Sequence, residues 1–164
     1  MTSSPAATAS DTTRIEVPSD LPLVRITREF DAPPEKVFRA HVDPELVVQW
    51  LGPRRLEMRI DRWDAATGGA YRYLHVDADG TEFGFHGSFH EVGPDRIVQT
   101  FTYEGFAESV ALETLRLIDL GDGRTRLEAT SLVDSFEARD AFVASGMEGG
   151  LREGYQRLDE LLAR

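Results

Sequence analysis

The stretch Phe30–Pro53, F-D-A-P-P-E-K-V-F-R-A-H-V-D-P-E-L-V-V-Q-W-L-G-P, punctuates a strand, two short helices and a hard stop. Just upstream, residues 23–30 alternate apolar and polar side chains as a half-buried strand does, and Pro33 and Pro34 end that strand. Pro34 suits a first helical position, and Val37, Phe38 and Ala40 to Val42 supply the apolar side of a helix over 34–42. Asp43-Pro44-Glu45 repeats the start signal for a second helix over 44–51, with a capping carboxylate, a proline preset to the helical angle and an acid in the first turn. Gly52-Pro53 closes it.

Downstream the pattern is strand after strand. Leu56, Met58 and Ile60 alternate with charged residues; Tyr71, Tyr73 and His75 alternate with Arg72, Leu74 and Val76; Phe83, Phe85, Gly87 and Phe89 alternate with Gly84, His86, Ser88 and His90. Turn signals separate these runs at Gly68-Gly69, Asp79-Gly80, Gly93-Pro94-Asp95 and Gly121-Asp122-Gly123. Residues 97–103, 112–120 and 125–132 complete a series of seven strands, whose short connections require antiparallel neighbours. A long helix over 147–163 follows, because Met147, Leu151, Leu158, Leu161 and Leu162 recur at three- and four-residue spacings beside Tyr155. Parallel strands would need a crossover between each pair, so the order excludes a doubly wound sheet. The expected class is α+β, a curved antiparallel sheet wrapped around its C-terminal helix.

With those elements placed, the chain resembles the START-like helix-grip superfamily (SRPBCC) and, within it, the family of homologues of the heat-shock-protein-90 ATPase activator. The residues that carry the resemblance are F-D-A-P-P-E-K-V-F-R-A from Phe30, D-P-E-L-V-V-Q-W-L-G-P from Asp43, Gly68 to Tyr73, Gly87 to Glu91, and the terminal G-Y-x-x-L-x-x-L from Gly154. Leu51 and Tyr155 stand where the family often has Trp, and both remain large and apolar. The resemblance implies a helix-grip domain over 21–164, with residues 1–20 as a flexible tail. It also implies a cavity for apolar ligands, with cyclase- or isomerase-like chemistry in some relatives.

Composition narrows the partners. A chain of 164 residues buries roughly 70% of its unfolded surface, enough for one core without staples. The lack of cysteine removes disulfides, thiolate metal sites and a thiol nucleophile, and suits a reducing, cytoplasmic compartment. A net charge of −11 disfavours nucleic acid and anionic membrane surfaces, which demand a positive face. Residues 1–13 contain neither a basic start nor an apolar run, so they read as a tail and not as a signal peptide or anchor. Nothing in the sequence marks an oligomeric state.

Motifs of catalysis are sparse. The chain has no G-x-S-x-G elbow, phosphate loop, H-E-x-x-H helix or dinucleotide fingerprint, so no cofactor and no metal are expected. His86 and His90 share a strand face but sit about 13 Å apart at about 3.3 Å per residue, too far to share a metal. Their face is opposite Phe83, Phe85 and Phe89, which makes them surface residues.

The candidate site is instead a ligand cavity between sheet and long helix, lined by Trp50, Met58, Tyr71, Tyr73, His75, Phe85, Phe101, Tyr103, Met147, Leu151 and Tyr155. Tyrosine and histidine tips set among apolar walls are the makings of a small-molecule site. One enclosed pocket of about 300 Å³ or more is expected, the lower end for such sites. Gly149, Gly150 and Gly154 within the packing helix each cost up to about 1 kcal/mol relative to Ala, so close backbone approach or retained empty volume must compensate. On the second ground Gly150→Leu should fill the pocket. His75 is the one histidine expected inside and the one base proposed, beside Tyr71 or Tyr73, and catalytic residues are otherwise unassigned. Asp61 reads as outward, and Glu113 reads as inward by parity with Leu115 but near water at a strand start, where it makes no convincing partner. The leading function is binding of a small apolar or aromatic molecule. The alternatives are a co-chaperone-like protein-interaction domain, or a cyclase- or isomerase-like enzyme.

Overall fold

A computed structural model describes residues 11–164. Eight strands form one antiparallel sheet: β1 (Arg14–Glu16), β2 (Leu23–Phe30), β3 (Glu57–Trp63), β4 (Ala70–Val76), β5 (Glu82–Val92), β6 (Arg96–Tyr103), β7 (Ala111–Gly121) and β8 (Arg124–Leu132). Helices α1 (Pro34–Val42) and α2 (Pro44–Val47) follow β2, and α3 (Phe136–Ala144) and α4 (Met147–Leu162) follow β8. The spatial order is β1-β2-β8-β7-β6-β5-β4-β3. The α1–α2 connection therefore carries the chain from β2 to the far edge, and the meander β3 to β8 works its way back until β8 pairs with β2 along residues 23–30.

The punctuation read from the sequence appears in the structure. Pro34 and Pro44 begin their helices, and the Asp43 side chain accepts from the Glu45 N–H at 2.9 Å. The second helix is shorter than the 44–51 expected: α2 ends at Val47, residues 48–50 continue only as turns, and Gly52 takes its left-handed φ of +91° beyond them. Trp50 is then drawn under the sheet, its indole N–H donating to the Ala40 carbonyl at 2.9 Å. Trp63 donates likewise to the Val42 carbonyl at 2.8 Å. The core runs from Val24 and Phe30 through Val37, Trp50 and Tyr71 to Leu127, Tyr155 and Leu158.

Two differences from the sequence reading are instructive. The sheet has eight strands rather than seven, because β1 lies inside the segment assigned to the tail; residues 1–10 of that segment lie outside the described residues. Three residues with one apolar side chain show no alternation, and what fixes β1 is pairing with β2 and the hydrogen bond from Arg28 to Thr13 at 3.2 Å. Helix α3 also went unforeseen. Its buried Arg139 donates to the Leu21 carbonyl at 3.0 Å, so a contact distant in sequence holds it and not an apolar stripe. Among the described residues no helix is long and apolar enough to cross a membrane.

Candidate functional site

The inward faces of β4 to β8 meet α4 across the core, and two kinds of surface result. Trp50, Met58, Tyr71, Tyr73, His75 and Tyr155 are buried, each at most 7% exposed. Their rings pack on one another: Trp50 stacks on Tyr155 at 6.3 Å between centroids, Tyr71 on Tyr73 at 6.0 Å, and Tyr73 on Phe85 at 5.2 Å. These residues fill space. Phe85, Phe101, Met147 and Leu151, by contrast, stay half-buried, and Tyr103 is 39% exposed. Phe85 bridges the two groups, stacked on Phe101 at 5.6 Å and tilted against Tyr103 at 5.2 Å. Two open clefts of about 380 Å³ each lie elsewhere, one bounded by Arg54, Arg55, Met58, Val76 and Arg157, the other by Lys36, Leu46, Gln49, Leu161 and Arg164. Neither takes in the aromatic wall.

Beside Phe101 a polar row crosses the sheet. Gln99 on β6, Glu113 on β7 and Ser131 on β8 are registered neighbours. The Gln99 amide donates to Glu113 Oε1 at 3.3 Å and to the Tyr71 hydroxyl at 3.4 Å, while that hydroxyl donates to the Thr100 carbonyl at 2.7 Å. Tyr71 reaches β6 by crossing β5 at Gly87, where a Cβ would fall 2.7 Å from the hydroxyl and 2.0 Å from the Thr100 carbonyl oxygen. Burial pushes the Glu113 carboxyl up to about 7, against the pull of Gln99 and the nearby Ser131 hydroxyl. Ser131 is 4% exposed and its oxygen makes no hydrogen bond of good geometry. Burial, and then the charge of Glu113, raises the tyrosine hydroxyls of Tyr71, Tyr73 and Tyr155, which keeps all three protonated.

Glu113 is thus the titratable group poised near neutrality, and the sequence reading passed it over. Parity with Leu115 placed it inward, but a strand start implied water. The lacking signal was register, since Gln99 and Ser131 come to it from other strands. His75 takes the more structural part. Its ring lies against Gly52, where a Cβ would stand 2.6 Å from Cε1, and its Nε2 has no partner. Burial, reinforced by the charge of Arg157, holds His75 below the ordinary histidine range, although the Leu51 backbone lies close enough to oppose this.

The helix glycines divide as well. At Gly154 a Cβ would meet the Trp50 carbonyl oxygen and the Gly52 nitrogen at 3.3 Å, so close approach explains it; at Gly150 the nearest neighbour is Pro53 at 3.7 Å. Gly150→Leu therefore points toward the α2–β3 connection and not into the concave space, contrary to the sequence expectation. On the outer face His86 meets Glu104 Oε2 at 2.8 Å, and Arg72 grips the same carboxylate in two bonds of 2.9 and 2.8 Å. Among the described residues no group of three or more His, Cys, Asp or Glu is placed to hold a metal ion.

A family model described as Activator of Hsp90 ATPase homolog 1-like protein matches residues 31–163. The chain belongs to the Activator of Hsp90 ATPase homolog 1-like family. Solved structures repeat the fold. A Rhodobacter sphaeroides protein is 30% identical, with 92% of this chain and 97% of that one aligned at a TM-score of 0.82. An Arthrobacter aurescens protein is 25% identical over 92% and 91% of the two chains, with a TM-score of 0.83. A Silicibacter pomeroyi protein named for the same family shares the fold at 20% identity and a TM-score of 0.71, over 86% of this chain and 97% of its own. No curated protein matches the chain. Membership in the Activator of Hsp90 ATPase homolog 1-like family agrees with the helix-grip architecture, a sheet curved around α4.

Proposed function

We propose that the protein binds a small apolar or aromatic molecule against the concave face, between β5–β7 and the first turns of α4. The observation that carries this reading is the half-buried state of Phe85, Phe101, Met147 and Leu151 beside the polar row Gln99–Glu113. An apolar wall with a few convergent polar groups is the usual construction of a ligand site, and the filled tyrosine core behind it supplies rigidity. Tyr71, Tyr73 and Tyr155 act as that backing, with Phe85, Phe101 and Tyr103 as the contact surface.

Nile red, a neutral apolar dye, tests the site. Its emission should rise on titration into the chain, and Phe101→Ala should weaken binding by about tenfold, as expected for losing a buried aromatic contact. Leu112→Ala, on the outer face, should leave it unchanged. Equal binding by wild type and Phe101→Ala would remove the reading. The co-chaperone alternative predicts instead that a chaperone middle domain shifts the emission of Trp50 and Trp63 while Nile red does not bind.

A further inference from the structure

We infer that the ligand of the concave face is an apolar amine, held as its ammonium ion with Glu113 as counter-ion and aromatic rings as the surrounding wall. This deepens the reading above and rests on it. Glu113 is a half-buried carboxylate on the concave face whose one hydrogen bond from a side-chain donor of good geometry comes from an amide shared with Tyr71. Among the described residues it has no salt-bridge partner, although charged groups taken from water are ordinarily paired.

The groups around it come from each packed element. Tyr71 and Tyr73 face it from β4, Gln99 from β6, Ser131 from β8 and Tyr155 from α4. All of these are uncharged. Arg28 on β2, whose charge reaches Tyr155, is already committed to Asp159 through two bonds of 2.8 and 2.5 Å. The site therefore has a negative member and no positive one. Ser131 adds a second indication: its hydroxyl is buried beside the carboxylate and makes no hydrogen bond of good geometry, so its oxygen is ready to accept one of the three N–H groups an ammonium offers.

Ring faces carry negative electrostatic potential, so the same wall that favours an apolar body also favours a cation over an anion. The overall charge of −11 acts in the same direction at long range. An anionic ligand would meet an unpaired carboxylate at short range, and a neutral one would leave it unpaired.

Three isosteric probes separate these cases: 4-phenylbutylamine, 4-phenylbutanol and 4-phenylbutyrate, titrated by calorimetry into the full chain. The amine should bind at least tenfold tighter than the alcohol at pH 8, and the butyrate weakest. Because a protonated Glu113 must release its proton to pair, amine affinity should fall about tenfold from pH 8 to pH 6, with no such fall for the alcohol. Glu113→Gln should abolish the amine preference while retaining the alcohol and Nile red. As a check that needs no variant, the carboxyl carbon resonance of Glu113 should titrate at least one pH unit lower when the amine is saturating. Equal affinity for amine and alcohol, tighter binding of the butyrate, or an unmoved Glu113 titration would overturn the inference and leave the ligand site standing if Nile red still binds. Failure of every probe, Nile red included, would overturn both.

Discussion

Glu113, half-buried, and His75, buried, illustrate how burial acts in opposite senses on an acid and a base. Both are driven toward their neutral forms, but for the acid this moves titration up into the physiological range, and for the histidine it moves titration down from its ordinary value. The sign for stability follows. A carboxyl whose folded pKa lies above its unfolded value holds a proton in the native state that the unfolded chain has released, so stability falls as pH rises from about 4.5 to about 7. The loss amounts to at most about 3.5 kcal/mol, because each tenfold difference in proton affinity between the folded and unfolded chain is worth about 1.4 kcal/mol. Urea unfolding at pH 5 and pH 8 checks this: Glu113→Gln should remove most of the decline and leave the variant the more stable protein at pH 8. At Gly52, where φ is +91° and a Cβ would press into the His75 ring, alanine should cost about 1–3 kcal/mol. A Gly52→Ala melting curve matching wild type would contradict that packing.

Among the elements, α4 is tied to the sheet by two devices that differ in kind. One is the absence of a side chain at Gly154, which lets the helix backbone approach the Trp50–Gly52 turn. The other is ionic: Asp159 holds Arg28, whose side chain is 1% exposed. Removing the acid leaves the buried guanidinium with Asp11 at 3.7 Å as its remaining counter-ion, and Asp159→Ala should destabilise the protein by about 3 kcal/mol, measured by urea unfolding. Arg28→Met with Asp159→Leu should recover much of that loss, since an apolar pair leaves no uncompensated charge. The seven longer strands, α1, α2 and α4 were legible because each announces itself locally, by alternation, by a Pro-led start or by a three- and four-residue stripe. Strand β1 and helix α3 were not, because their determinants are the side chains of Arg28 and Arg139 reaching Thr13 and Leu21 from distant positions. The site followed the same division. The inward placement of the strand aromatics was legible from parity, whereas which of them fill the core and which stay half-open depends on where α4 lies. The polar row depended on register that no single strand encodes.

At the scale of the molecule, the order β1-β2-β8-β7-β6-β5-β4-β3 makes the first long strand the neighbour of the last. Apart from the three-residue β1, strand β2 has no partner until β8 exists, and the whole of residues 31–123 must be laid down before that pairing begins. A chain emerging from the ribosome therefore carries β2 with one long edge open, and the core stays uncovered until α4 has been synthesised. Folding cannot proceed by accretion from the N-terminus. Closure of so distant a pair is entropically slow, which places refolding in the millisecond-to-second range rather than the microseconds of local helical folds. Stopped-flow tryptophan emission should show this as one dominant slow phase, because Trp50 reaches its final surroundings only when Tyr155 of α4, the last element of the chain, stacks on it. During synthesis the same delay makes the open edge of β2 the segment most in need of a chaperone's protection.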